Sequence, residues 1–247
     1  MKIKNYERID DLQYKGLKII QDPNSFCFGI DSIMLANFVK KAKKDCKIVD
    51  LGTGSGVLGL LLCKKIEPSK VIGVEIQNEV ADMAQRSIEM NNLQSKFEII
   101  NEDIKNIIDK KIIEKNSIDI VVTNPPYKEI ENGAKNTNMK KLISRHETTA
   151  KLSDFIEIAA KLLKDKGSFY IVNKTERISD IIFEMKKNKI EPKEIKLIQP
   201  HINSEPNLVL IKGVKCGRSF LKVDKTLIVY NKDGSYTDEL NKIYNAK

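Results

Sequence analysis

The chain is 247 residues long, 41% hydrophobic and 31% charged, enough to bury one large α/β core or two small ones. It has no run of about 18 apolar residues, and its start, MKIKNYERIDDL, lacks an apolar stretch, so neither a membrane-spanning helix nor a signal peptide is expected. The formal net charge of +9 suits a polyanionic partner, although a lysine-rich coding bias gives the same excess.

The four cysteines, Cys27, Cys46, Cys63 and Cys216, include no C-x-x-C pair, and His146 and His201 are far apart. No metal site or disulfide framework is expected; free thiols in a reducing cytoplasm fit this pattern.

In chain order, residues 31–44 are predicted as a helix, capped by Asp31 or Ser32, with Ile33, Met34, Asn37, Phe38 and Ala42 on one face. Strands over 47–52, 71–76, 96–103 and 117–124 then alternate with helices over 55–66, 78–92 and 104–114. An amphipathic helix over 152–167 has Ser153 at its N-cap position and Gly167 just past its end. A strand over 168–173 and a helix over 176–188 follow. The last two apolar runs, EIKLIQP and NLVLIKG, have no helix between them and are expected to pair as an antiparallel hairpin. The βα repetition predicts a doubly wound α/β fold with a mostly parallel sheet, right-handed crossovers and helices on both faces. We expect a single domain: an N-terminal segment and helix (1–44) packed on a core (45–213), with a C-terminal extension (214–247).

VDLGTGSGVLGL (49–60) carries the first chemical signal. A strand runs into glycines at 52, 54 and 56 and then into a helix, whose first N–H groups and positive dipole end suit a polar ligand. It is not the dinucleotide pattern G-x-G-x-x-G, because Val57 stands at the third glycine, and no G-x-x-x-x-G-K-[ST] phosphate loop is present. Glu75 ends the second strand, where an acid can accept both hydroxyl protons of a ribose. Asp103 ends the third, where an acid can accept from an adenine amino group. Each alone reads as an ordinary strand end; three at successive strand ends point to a nucleoside cofactor at the carboxyl edge of the sheet.

These residues resemble the cofactor motifs of class I S-adenosylmethionine-dependent methyltransferases. The resemblance implies a seven-stranded Rossmann-like sheet ending in an antiparallel hairpin. It implies a glycine loop, Asp50, Gly52, Thr53, Gly54 and Gly56, around the amino-acid part of the cofactor. Glu75, with Ile76, would hold the ribose, and Asp103, with Ile104, the adenine.

TNPPYK (123–128) falls at the end of the fourth strand. Proline cannot donate to a strand ladder and restricts the residue before it, so the strand stops abruptly there. Asn-Pro-Pro-Tyr resembles the signature of methyltransferases acting on exocyclic or amide nitrogens. Such a nitrogen is a poor nucleophile because its lone pair is delocalised. Asn124 Oδ1 and the Pro125 carbonyl can each accept one of its N–H groups and favour its pyramidal form, while Pro126 stiffens the loop and Tyr127 offers a stacking face. Without the glycine loop, the same residues read as a proline-terminated strand with a surface tyrosine.

Two nitrogen classes share this motif, the glutamine amide of peptide-release factors and N6 of adenine. DPNSFCFGIDSIMLANFV (22–39), SRHETTAKLSDFIEIAAKLLKDKGSFYIV and EPNLVLIKG resemble the bacterial tRNA1(Val) adenine-N6 methyltransferases. The release-factor enzymes usually carry a helical domain before the core, for which the 46 residues ahead of Lys47 leave no room. The resemblance implies transfer from S-adenosylmethionine to adenine 37 in the anticodon arm of a tRNA in the cytoplasm, without metal, membrane or obligate protein partner. It implies that Phe28, Gly29 and Asp31 close over the methionine end of the cofactor, with Asn124 also at the cofactor. Tyr127, Lys128 and Arg145 are candidate substrate contacts, and residues 129–144 a substrate loop. A glutamine methyltransferase acting on a release factor, or an adenine-N6 methyltransferase acting on rRNA or DNA, are the alternatives.

Overall fold

The computed structural model describes residues 3–24, 27–40, 45–127 and 150–244. An N-terminal hairpin, β1 (Arg8–Asp11) and β2 (Lys18–Gln21), precedes helix α1 (Ile30–Phe38). Alternation follows through β3 (Lys47–Leu51), α2 (Val57–Lys65), β4 (Lys70–Glu75), α3 (Asn78–Met90), β5 (Phe97–Asn101) and β6 (Ile118–Thr123). Then come α4 (Leu152–Leu162), β7 (Leu163–Lys174), α5 (Ile178–Lys187), β8 (Ile190–Gln199) and β9 (Leu208–Lys215). The end holds two short strands, β10 (Lys222–Val223) and β11 (Leu227–Ile228), and helix α6 (Asp238–Tyr244).

The main sheet has the order β10–β8–β9–β7–β6–β3–β4–β5, with β11 also on β8. The β3, β4, β5, β6 and β7 pairings are parallel; β9 runs antiparallel between β7 and β8. Seven long strands therefore match the expected sheet, with β10 and β11 added at one edge. Because β9 opposes both neighbours, β8 ends at the same carboxyl edge as β3 to β7.

The strands alternate between two covered faces, as a sheet sandwiched by helices requires. Ile48, Ile120, Val122 and Tyr170 join one apolar cluster with α1 and α2; Val49, Val121, Phe169 and Ile171 join the other with α4. Gly59 of α2 shows how tight the first cluster is: a Cβ there would lie 2.2 Å from Phe97 Cζ. Phe97 is fully buried and cannot swing away. Gly59→Val is expected to lower the unfolding free energy by about 1–3 kcal/mol or more, by overpacking, in urea denaturation.

Four local expectations are corrected. Residues 104–114 form consecutive turns rather than a helix. Short i→i+3 and i→i+4 bonds such as Asn106 N–H to Asp103 O (2.9 Å) close each turn, but Ile107, Ile108 and Ile113 bury themselves in the second cluster without continuing the ladder. The helix expected over 152–167 stops at Leu162, and Lys151, not Ser153, is its N-cap. Gly167 lies in β7, in a bulge where Ile118 pairs with Leu163 and Ile120 with Ser168. A Cβ on it would meet the Lys164 carbonyl at 2.8 Å, so this glycine serves a close backbone approach rather than a cap. Helix α1 is shorter than expected: it is capped at Gly29, ends at Phe38 and leaves Asn37 exposed. Ala42 lies outside the described residues.

The N-terminal hairpin was not predicted at all. It packs on α3, where Ile20 N–H donates to Ser87 Oγ (2.9 Å) and Arg86 donates to both oxygens of Glu7 (2.7 and 2.6 Å). No helix among the described residues is long and apolar enough to cross a membrane.

Candidate active site

The glycine loop leaves β3 with three left-handed residues, Gly52 (φ +70°), Gly54 (φ +57°) and Gly56 (φ +86°). Gly56 is the N-cap of α2, a conformation costly for any residue with a Cβ. Gly52 also packs on a ring, since a Cβ there would stand 3.2 Å from Phe155 Cε1 of α4. The N–H groups of Gly52 and Thr53 both donate to the Val74 carbonyl (2.9 Å each), tying the loop to β4.

Two buried acids flank this loop. Thr53 Oγ1 donates to Asp50 Oδ2 (2.6 Å). Burial pushes the Asp50 carboxyl up to about 7, against the Thr53 hydrogen bond, and nearby Glu75 adds to the rise. Glu75 Oε2 accepts from Gly54 N–H and its Oε1 from Gln77 N–H, both at 2.9 Å. Burial raises its pKa as well, against these backbone donors. Each carboxylate oxygen has a second lone pair, so Glu75 can take further donors from the cavity it lines.

One cavity gathers most of the residues singled out in the sequence. Phe28, Asp50, Gly52, Thr53, Gly54, Glu75, Ile76, Asn124 and Pro126 all line it. Gly29, Asp31, Gly56, Pro125 and Tyr127 adjoin these residues in the chain but are not among those that line it. Asp103 and Ile104 do not line it either. Asp103 Oδ1 accepts from Lys105 N–H (2.9 Å), and Ile104 is buried in the second cluster. Lys128, Arg145 and the 129–144 segment lie outside the described residues.

The Asn-Pro-Pro-Tyr turn is tied to α1. Asn124 Nδ2 donates to Ser32 Oγ (3.0 Å), and the Tyr127 hydroxyl faces both Asp31 Oδ2 and Asn124 Oδ1, the latter at 2.8 Å. One hydroxyl proton serves two acceptors, and the carboxylate is the stronger of them. Asn124 Oδ1 is therefore open to a donor arriving from the cavity, while Ser32 fixes the amide plane. Burial, with Asp31 beside it, raises the Tyr127 pKa well above the ordinary value, so the hydroxyl remains a donor. Gly29 permits this contact: a Cβ there would collide with Asp31 Oδ1 at 2.7 Å. One face of the Tyr127 ring carries Lys174 Nζ, 5.6 Å from its centroid. Tyr127 thus acts here through its hydroxyl, and its stacking face is shared with a cation.

Sequence reasoning missed Ser32, Gln21 and Phe155. Ser32 read only as a cap. Gln21 was an unmarked polar residue; its amide oxygen accepts from Phe28 N–H (2.9 Å) and its nitrogen donates to Asp10 Oδ2 (2.8 Å), which positions Phe28 at the cavity. Phe155 lay unmarked within the helix expected over 152–167, and only the tertiary approach of Gly52 reveals its place in the wall. Among the described residues, no group of three or more His, Cys, Asp or Glu side chains is placed to hold a metal ion.

The family model described as the methyltransferase small domain matches residues 16–191. The chain is 26% identical over 244 residues to a tRNA1(Val) (adenine(37)-N6)-methyltransferase of Haemophilus influenzae, spanning 95% of this chain and 97% of that protein. A Trichodesmium erythraeum protein of the same name is 28% identical over 170 residues, 68% of this chain and 69% of that one. Among solved structures, a predicted O-methyltransferase from Agrobacterium tumefaciens superposes with a TM-score of 0.70 at 22% identity, covering 87% of this chain and 95% of that one. M. jannaschii TYW2, solved in complex with AdoMet, gives a TM-score of 0.57 at 17% identity over 87% of this chain and 89% of its own. At these identities the structural likeness speaks for the fold.

Proposed function

The chain belongs to the methyltransferase small domain family, and from that premise we propose that it transfers a methyl group from S-adenosylmethionine to N6 of an adenine in tRNA, at adenine 37 of tRNA1(Val). The observation that carries the chemistry is that Asn124, at the end of β6, lines the same cavity as the glycine loop and Glu75. The near full-length similarity to proteins named for that reaction supports the substrate. A tRNA substrate implies work in the cytoplasm.

The residues present fit the cofactor. Asp50 and Glu75 are buried acids in one cavity, and both are raised in pKa by burial. Such a site favours a ligand that brings positive charge and hydroxyl donors. Asp50 and the glycine loop would hold the amino-acid end, Glu75 the ribose diol, and Ile76, Val80 and Phe155 the apolar wall beside the purine. Asp103, whose Oδ1 already accepts from Lys105 N–H, keeps further lone pairs for an adenine amino group. When bound, the cofactor supplies an electrophilic methyl group on a sulfonium.

The chain's own task is to present the nucleophile. Asn124 Oδ1 and the Pro125 carbonyl accept the two N–H groups of the adenine amine, which withdraws its lone pair from the ring and directs it at the methyl carbon. Ser32 and Tyr127 hold the Asn124 amide in that orientation. Positioning and charge stabilisation carry the step: the N–C bond would form as the cofactor's S–C bond breaks, and the nitrogen would then shed one proton to solvent, so no strong general base is required.

Glu75→Ala is expected to weaken S-adenosylmethionine binding by about 1–3 kcal/mol through the lost ribose bonds, as read by calorimetry. An unaltered affinity removes Glu75 from the cofactor site. Tritium transfer offered to tRNA and to release factor in parallel tests the substrate class: label on RNA supports the proposal, and label on protein alone assigns the glutamine reaction.

A further inference from the structure

Four aromatic rings form a row at the carboxyl edge of the sheet, on segments that the site so far leaves without a task. The centroids of His201 and Tyr230 lie 5.4 Å apart, those of Tyr230 and Tyr236 5.5 Å, and those of Tyr236 and Tyr244 5.6 Å. Only the last pair is stacked, with 8° between its planes; the other two pairs are tilted, each by 32°.

The row is stiffly held. Tyr230 and Tyr236 face each other across an antiparallel bridge. The turn between them is closed by Asn231 N–H to the Ser235 carbonyl (2.8 Å), with Gly234 at φ +83°. Tyr230 N–H donates to the Pro200 carbonyl (2.9 Å), which brings the ring beside His201 at the end of β8. One end of the row approaches the site's helix: α6, which carries Tyr244, packs against α1, the helix of Asp31 and Ser32. Burial raises the Tyr244 pKa, and neighbouring Tyr236 and the Asp31 carboxylate add to the rise. Of the other rings, Tyr230 is half-buried against the first apolar cluster, while His201 and Tyr236 are exposed. Cations accompany it: Lys174 lies over Tyr127, and exposed Lys232 sits on the turn.

We propose that this row is a stacking track for the unpaired nucleotides that flank the target adenine, an inference that rests on the RNA reading above. Preformed rings lose little freedom on binding and accept any base, while nearby lysines answer the phosphates. A row serving only to fasten the C-terminal segment would need neither exposed rings nor an approach to the helix of Asp31 and Ser32. The sequence signal was slight, since the four aromatics are scattered over 44 positions.

The chain contains no tryptophan, so Tyr236→Trp places a single indole reporter in the row. Titration with transcribed tRNA1(Val) is expected to quench it, and S-adenosylmethionine alone is not. Tyr236→Ala is expected to raise the KM for RNA about ten-fold or more with much less change in kcat, and Tyr236→Phe to retain the wild-type KM. An unchanged KM in Tyr236→Ala overturns the stacking track, as does an indole that RNA leaves unquenched while the wild-type protein methylates that RNA. A wild-type protein that methylates no RNA in the same samples defeats the RNA reading itself, and the indole titration still decides whether the row binds nucleotides.

Discussion

Asn124→Ala is expected to lower kcat for methyl transfer by about 10²–10³-fold, the usual cost of removing one preorganised polar contact to the reacting group. Cofactor affinity should change little, because on the proposed assignment Asn124 would touch the nitrogen that is methylated, whereas the acids and the glycine loop would hold the cofactor. The expectation follows from the local network. Asn124 Nδ2 is fixed by Ser32 Oγ, and its Oδ1 shares the Tyr127 proton with a carboxylate that holds it more strongly. Alanine removes that acceptor but leaves the proline-stiffened turn in place. Single-turnover kinetics at saturating cofactor would measure the effect, and an unchanged rate constant would remove Asn124 from the chemistry.

Asp50→Asn is expected to make the free protein more stable at pH 8 and a poorer binder of S-adenosylmethionine. The Asp50 carboxyl is fully buried, and its pKa rises from 3.8 to about 7, first through desolvation. The folded state then binds more protons than the unfolded state between about pH 4 and 7, so stability falls as pH rises through that window. Above pH 7 the full cost is present, up to about 4 kcal/mol; below pH 4 it is absent. The amide substitution removes this cost, so the gain in urea denaturation should be large at pH 8 and vanish near pH 4. Cofactor binding should move the other way, with affinity falling about ten-fold or more once the charge proposed to face the cofactor's ammonium is lost. A mutant that gains stability while losing affinity marks a residue whose charge serves ligand binding. An isostere that leaves both properties unchanged at pH 8 would show that Asp50 is neutral there.

The central sheet was legible because its strands are short apolar runs and its helices amphipathic. Period and turn chemistry therefore located β3 to β9, although β7 and β8 begin at Leu163 and Ile190, ahead of the expected 168 and 194, and the missing helix between EIKLIQP and NLVLIKG correctly announced the antiparallel pair. Two kinds of feature escaped. Tertiary packing overrode propensity at 104–114, where buried isoleucines settle into turns, and at Gly167, whose missing Cβ admits a carbonyl rather than ending a helix. The β1–β2 hairpin is short and charged, so alternation carried little signal there.

In the candidate site, residues with a distinctive backbone or charge were readable: the three glycines, Asp50, Glu75 and the Asn-Pro-Pro-Tyr turn. Ser32, Gln21 and Phe155 were not, because a hydroxyl, an amide and a core ring acquire their place only when α1, β2 and α4 are brought against the loop. Tyr127 shows the intermediate case: its position was readable, but the partner of its hydroxyl was not.

The most direct test of the central claim is nucleoside mass spectrometry after incubating the protein and S-adenosylmethionine with transcribed tRNA1(Val). The account predicts protein-dependent N6-methyladenosine that disappears when adenine 37 is changed to guanine. Methyladenosine that persists in the changed transcript would contradict the position, and a tRNA left unmethylated beside a methylated release-factor glutamine would contradict the substrate.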